Sequence, residues 1–191
     1  MKHRRVALTV LYSVAATLFI GGPAKAGDAA CVWNAIPNSY RVAFLAAYPG
    51  EGQRALIRLN PPADVFGPIM TGCGVRSRDK VDTAVKALMS YSMSNASAQL
   101  LSDRFGIARS RIDEAWDRLP ATSRDAFSKS VLAGADAGMP ASSPDPRLRE
   151  AALSVVQSIA SALQVEDPAA VRQLGTYLTW KIARPHYEAN F

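Results

Sequence analysis

The chain is poor in the residues from which ready-made chemical sites are built. Among 191 residues it has two cysteines, Cys31 and Cys73, and two histidines, His3 and His186. That is too few for a convincing zinc ligand set, and it excludes a cysteine-rich scaffold. A serine, histidine and aspartate triad would have to use His186, which lies behind Pro185 and five residues from the chain end. No stretch of alternating β-branched residues is bounded by turns, so strands are not expected. Long apolar runs are also scarce. Residues 6–20 are uncharged, but this run is shorter than the ~18–20 residues of a spanning helix. No second run follows, which excludes a multi-span membrane protein. A strong charge of one sign is missing too. The net charge is +6, yet residues 1–26 hold four basic residues (Lys2, Arg4, Arg5 and Lys25) and no acid. Without them, 18 basic residues face 16 acidic ones, which is too even a balance to argue for nucleic-acid binding.

What is present at the N-terminus reads as an address. Residues 1–5 (MKHRR) are positive, residues 6–20 are apolar, Gly21-Gly22-Pro23 breaks any helix, and Ala24-Lys25-Ala26 places small residues where a signal peptidase reads. The expectation is a signal peptide over residues 1–26, cleaved after Ala26, and a single helical domain over residues 27–191, in the periplasm or secreted. No stable membrane span is expected after cleavage. In an oxidising compartment Cys31 and Cys73 are expected to pair. The loop they close is about 42 residues, for which chain entropy gives about 4 kcal/mol. Two separate buried thiols are the competing reading.

The mature chain is helical in its periodicity almost throughout, and the full sequence holds 33 alanines, which favour close helix approach. The expected fold is all-α, a compact bundle of about seven to nine short-to-medium helices. Pro37, Tyr48-Pro49-Gly50, Pro120 and Arg184-Pro185 are read as helix ends, and Asn38 or Ser39 as a cap. Residues 51–59 and 62–70 are read as short helices, in a segment that is either a lid or a plain loop. Asp79 starts the strongest helix and Gly106 closes it. Asp145-Pro146 and Asp167-Pro168 pair an N-cap with a first-turn proline. Residues 138–144 are read as a linker.

One internal similarity stands out. Trp33-x-x-Ile36-Pro37-x-x-x-Arg41-x-Ala43-Phe44 matches Trp116-x-x-Leu119-Pro120-x-x-x-Arg124-x-Ala126-Phe127 at an offset of 83 residues. It describes a helix–proline–helix corner whose two aromatics can meet in the core. One reading is a degenerate duplication in which Arg41 and Arg124 line a shared binding groove. The other is a recurrent corner in which each arginine pairs with nearby acids or carbonyls. Aligning Asp79 with Asp145 beyond the corner needs a gap of about 17 residues, and repeat architectures usually keep their period.

The remaining motifs are weak. Residues 99–119 resemble a DNA-binding helix-turn-helix around Gly106. Asp113, Glu114 and Asp117 would face phosphates badly, so two helices joined through a glycine is the better reading. Ser77-Arg78-Asp79-Lys80 fits S-x-x-K, but S-D-N and K-T-G are absent, and a helix start explains it. Gly72-Cys73-Gly74 opens a G-x-G pattern with no preceding strand, so it is read as a turn. Carboxylates available for acid–base work are Asp64, Asp79, Asp82, Asp113, Glu114 and Asp117. The last three alternate with Arg109, Arg111 and Arg118, the pattern of a salt-bridged face. The expected role is a periplasmic binding or protein-interaction module with no cofactor and no metal. Its partner is expected to be a protein or a small ligand of the cell envelope. The alternative is a periplasmic hydrolase that acts on envelope polymer through carboxylates.

Overall fold

Aspartates and prolines set most of the helix starts, and they act within a single turn. The structure is a computed structural model that describes residues 28–136 and 145–190. The expected signal peptide and the expected 138–144 linker lie outside the described residues. Among those residues there are eight α-helices and one 3₁₀ segment, and no strand. They are α1 (Ala29–Ala35), α2 (Asn38–Glu51), the 3₁₀ segment (Gly52–Leu59), α3 (Ala63–Gly72) and α4 (Arg78–Phe105). Then follow α5 (Arg109–Asp117), α6 (Ala121–Asp136), α7 (Pro146–Ala162) and α8 (Pro168–Glu188). The side chains of Asp145 and Asp167 accept backbone N–H bonds at the starts of α7 and α8, with proline next in each. Gly106 closes α4 in the left-handed conformation at φ 67°, so that its N–H and that of Ile107 satisfy the carbonyls of Ser102 and Leu101.

Two expected stops are overturned. Helix α2 runs through Pro49 to Glu51, and α8 runs through Pro185 to Glu188. A proline near the last turn forfeits one hydrogen bond while its fixed φ remains helical. At Pro185 the extension is held by Tyr187, 5% exposed, and by Glu188, whose Oε1 accepts from Arg184 Nε at 2.8 Å and from the Ala29 N–H at 3.2 Å. The cap proposed for α2 also differs. Pro37 occupies the N-cap of α2, so Asn38 is the first helical residue. Ser77 occupies the N-cap of α4 without a capping bond from its side chain.

The architecture is organised by the pairing of α4 with α8. Helix α4 has 28 residues, about 42 Å at 1.5 Å per residue. Its interior face is built from small residues: Ala84, Ala87, Ser90, Ser92, Ala96 and Ser97 are all buried. Such a face lets the backbones approach closely. The two helices are antiparallel. Tyr91 of α4 meets Arg184 of α8 at 4.6 Å from ring centroid to guanidinium carbon, whereas Ser97, farther along α4, is joined to Gln173, earlier in α8, through Tyr48.

Hydrophobic side chains collect in two clusters flanking this pair. One joins α1, α2, the 3₁₀ segment and α3 to α4, and it includes Trp33, Phe44, Met70 and Trp180. The other joins α5, α6, α7 and α8, and it includes Trp116, Phe127, Ile159 and Leu174. The Cys31–Cys73 disulfide forms, with Cα atoms 5.7 Å apart. It ties α1 to the residue that caps α3.

The helix–proline–helix corner occurs once in each cluster. Trp33 and Phe44 meet edge to face at 6.0 Å and 79°, and Trp116 and Phe127 do so at 5.5 Å and 75°. The halves also match farther on, in helices the sequence reading did not pair. Ala84-Val85-x-x-Leu88-x-x-Tyr91 of α4 corresponds to Ala170-Val171-x-x-Leu174-x-x-Tyr177 of α8, with Lys86 matched by Arg172 and Ser90 by Thr176. The offset is 86 rather than 83, so only three extra residues separate corner and central helix. The match of Asp79 with Asp145 is therefore replaced. The counterpart of α4 is α8, not α7, and the two counterparts pack against each other.

Candidate functional site

Helix α8 carries three polar clusters along its length, each reaching a different part of the chain. Near its start, Gln173 Nε2 donates to the Tyr48 hydroxyl at 2.7 Å, and that hydroxyl is 2.7 Å from Ser97 Oγ. This chain connects α8, α2 and α4. At mid-helix, the Tyr177 hydroxyl donates to Asp113 Oδ1 at 2.8 Å and Lys181 Nζ donates to the same oxygen at 2.7 Å. Arg109 is 3.8 Å from the other oxygen. Burial, reinforced by the hydrogen bond to Asp113, raises the Tyr177 phenol above the ordinary tyrosine range. At its end, Arg184 stacks on Tyr91 and reaches Asp28 at 3.4 Å as well as Glu188.

The second and third clusters are saturated by their own partners. The first lies beside open space. A half-open cleft of about 350 Å³ runs between the end of α2, the start of the 3₁₀ segment and α8. Tyr48, Gly52 and Gln53 form one wall, Met93 of α4 contributes to the lining, and Gln173, Gly175, Thr176, Thr179 and Trp180 line the α8 side. Gly52 turns the chain from α2 into the 3₁₀ segment at φ 56°, a backbone conformation that glycine adopts without steric cost. None of these nine lining residues is ionisable near neutral pH. Tyr, Gln and Thr side chains each both donate and accept. A smaller hollow of about 240 Å³ lies where α4 turns towards α5 and α7 towards α8, lined in part by Arg111, Glu166 and Asp167.

The residues singled out from sequence sit elsewhere. The Arg41 guanidinium lies 5.9 Å from the Trp33 ring and donates to Asn38 Oδ1 at 3.4 Å. Arg124 is 4.0 Å from Asp117. Each arginine is thus partnered within its own corner, the two corners belong to different clusters, and neither residue lines the 350 Å³ cleft. The acids of α5 form the salt-bridged face their spacing suggests: Asp113 pairs with Lys181 and Arg109, Glu114 with Arg118, and Asp117 with Arg124. Gly106 joins α4 and α5 as a plain helix-to-helix turn. His186 lies within α8 with its ring 5.4 Å from that of Tyr187.

Sequence reading missed Tyr48, Gln173, Thr176 and Thr179. Tyr48 entered it only as part of an expected helix end. The match between α4 and α8 carried a signal for Gln173 alone, which stands in α8 where α4 has Ala87. No family model matches the chain, and no curated protein or solved structure does so either.

Proposed function

We propose that this chain is an exported binding protein of the cell envelope, and that the cleft between α2 and α8 holds a small ligand. The observation that carries the reading is the Gln173–Tyr48–Ser97 chain at the cleft. Polar groups there are already oriented by partners from three helices, which lowers the entropy cost of ordering them when a ligand arrives. The volume falls in the lower part of the ~300–1,000 Å³ range of small-molecule sites. Export is supported by the order of the first 26 residues and by the pairing of both cysteines. The salt-bridged acids of α5 are tied to basic partners and none of them lines this cleft, so acid–base hydrolysis has no comparable support there.

The test is native mass spectrometry on protein purified from the periplasmic fraction without denaturation. The expected species begins after Ala26, is two hydrogens lighter than the dithiol, and carries a small adduct that is lost on unfolding. Recovery of chains that retain Met1 and free thiols, or of a mature chain that neither carries nor takes up any small molecule from envelope extract, would refute the reading.

A further inference from the structure

The two halves of this chain match at their corners and along their central helices, and part of the cleft lining departs from that match. The corner aromatics recur as Trp33 and Trp116, and as Phe44 and Phe127. In the central helices Ala84, Leu88 and Tyr91 recur as Ala170, Leu174 and Tyr177. All of these are buried except Tyr91, which is partly so and packs against both clusters. The repeated positions are packing positions. Several cleft residues depart from the match, although Thr176 corresponds to Ser90 and Gln53 to Asp136. At the same offsets Tyr48 is matched by Val131, Gln173 by Ala87, Gly175 by Met89 and Trp180 by Ser94. Of these four pairs, the cleft-lining members hold one phenol, one amide, one glycine and one indole, whereas their counterparts are apolar or small. The polar wall of the cleft draws on both halves, with Tyr48 and Gln53 from the first and Gln173, Thr176 and Thr179 from the second.

We infer that this polar wall selects an uncharged polyhydroxyl compound of monosaccharide or disaccharide size, with Gln173 as its specificity-determining residue and Tyr48 as the residue that positions it. The inference rests on the binding reading above and supplies its ligand class. Two properties of the lining lead to it. First, the nine lining residues present no charge to compensate one on a ligand, and an ion moved there from water would lose hydration without gaining a partner. Second, the polar groups that line it, Tyr48, Gln53, Gln173, Thr176 and Thr179, are all of the type that both donates and accepts. A ring of hydroxyl groups has the same dual character. Each ligand hydroxyl can therefore meet a side chain in either sense. The Thr176 hydroxyl already donates to the Arg172 carbonyl at 3.1 Å, which fixes its oxygen as an acceptor. The Tyr48 hydroxyl accepts from Gln173, which fixes the amide and aims it.

The experiment titrates the mature, disulfide-bonded protein with glucose, N-acetylglucosamine and maltose, and with glucuronate, glucose 6-phosphate and glucosamine as charged analogues of similar shape. Binding is read by saturation-transfer NMR and by calorimetry. At least one neutral sugar is expected to bind, with its charged analogues at least tenfold weaker. Gln173→Ala, which installs the residue of the counterpart helix, is expected to weaken the neutral sugar about tenfold or more, the effect of one lost hydrogen bond. Its urea midpoint should stay near that of the parent. Tyr48→Phe, which keeps the ring and removes the hydroxyl, should weaken the same sugar and serves if Gln173→Ala folds poorly. Charged analogues that bind as tightly as the neutral ones would overturn the ligand class while leaving a binding protein. Neutral binding unaffected by both variants would overturn the assignment of these two residues. No binding by any of the six compounds would overturn the polyhydroxyl class, and the adduct measured on periplasmic protein would still decide the wider reading separately.

Discussion

Removing the Cys31–Cys73 bond tests how the first half of the fold is held. The bond joins positions 42 residues apart. In the chain-entropy account, cross-linking a loop of that length takes about 4 kcal/mol of conformational entropy, expressed at 25 °C, out of the unfolded chain. The native contacts around it are independent of the bond. Trp33 packs on Phe44 and Tyr91, the Ala29 N–H is bonded to Glu188, and Asp28 is paired with Arg184. A Cys31→Ser/Cys73→Ser double variant is therefore expected to keep its helix content and tryptophan environment and to lose about 4 kcal/mol of stability. With a urea slope of about 2 kcal/mol/M, typical for small proteins, the unfolding midpoint falls by about 2 M. Trp33, Trp116 and Trp180 are all at least nine-tenths buried, so their fluorescence follows both clusters. Since α4 and α8 bind the clusters together, the transition should remain single. A midpoint within about 0.3 M of the parent would show that the unfolded chain is not constrained by this loop. Two separated transitions would show that α1, α2 and α3 form a unit held by the disulfide rather than by α4.

Three further outcomes are expected. Tyr177 is held neutral above its usual pKa of 10.0 by burial and by its bond to Asp113. Above pH 10 the unfolded state therefore gives up a proton that the folded state keeps. Stability from this group is complete below pH 10 and falls above it by up to about 1.4 kcal/mol per pH unit. Urea midpoints at pH 9, 10 and 11 should thus diverge from those of Tyr177→Phe, and parallel profiles would refute the assignment. Gln164 follows α7 at φ 58°, a conformation in which a side chain is strained and glycine is not. Gln164→Gly is expected to stabilise by about 0.5 kcal/mol, raising the calorimetric Tm by about 1–2 °C, and a lower Tm would count against it. Ala87 is fully enclosed on α4, so Ala87→Leu should cost about 1–3 kcal/mol through overpacking in a urea titration, and a neutral result would mean the face has spare room.

What could be read directly from the chain is what a few neighbouring residues decide. Asp145-Pro146 and Asp167-Pro168 start helices because a carboxylate and a proline act within one turn, and Gly106 ends α4 because its backbone reaches a left-handed conformation cheaply. The corners at Pro37 and Pro120 were legible for the same reason, and each brings its tryptophan and phenylalanine together as their spacing suggests. Pro49 and Pro185 were misread because their local preference is outweighed by packing. Tyr187 and Glu188 hold the last turn of α8 against α1, whose Ala29 lies 159 residues from Glu188 in the chain. The cleft between α2 and α8 was not legible at all. Its walls come from residues 48, 93 and 173, which are far apart in sequence and meet only because small residues let α4 and α8 pack closely and antiparallel. Short-range sterics and capping thus determined the helices, their caps and the all-α class. The pairing of the two halves, the satisfaction of Tyr48 and Tyr177, and the cleft itself were decided by the register of α4 against α8, a property of long-range packing that no local stretch of sequence encodes.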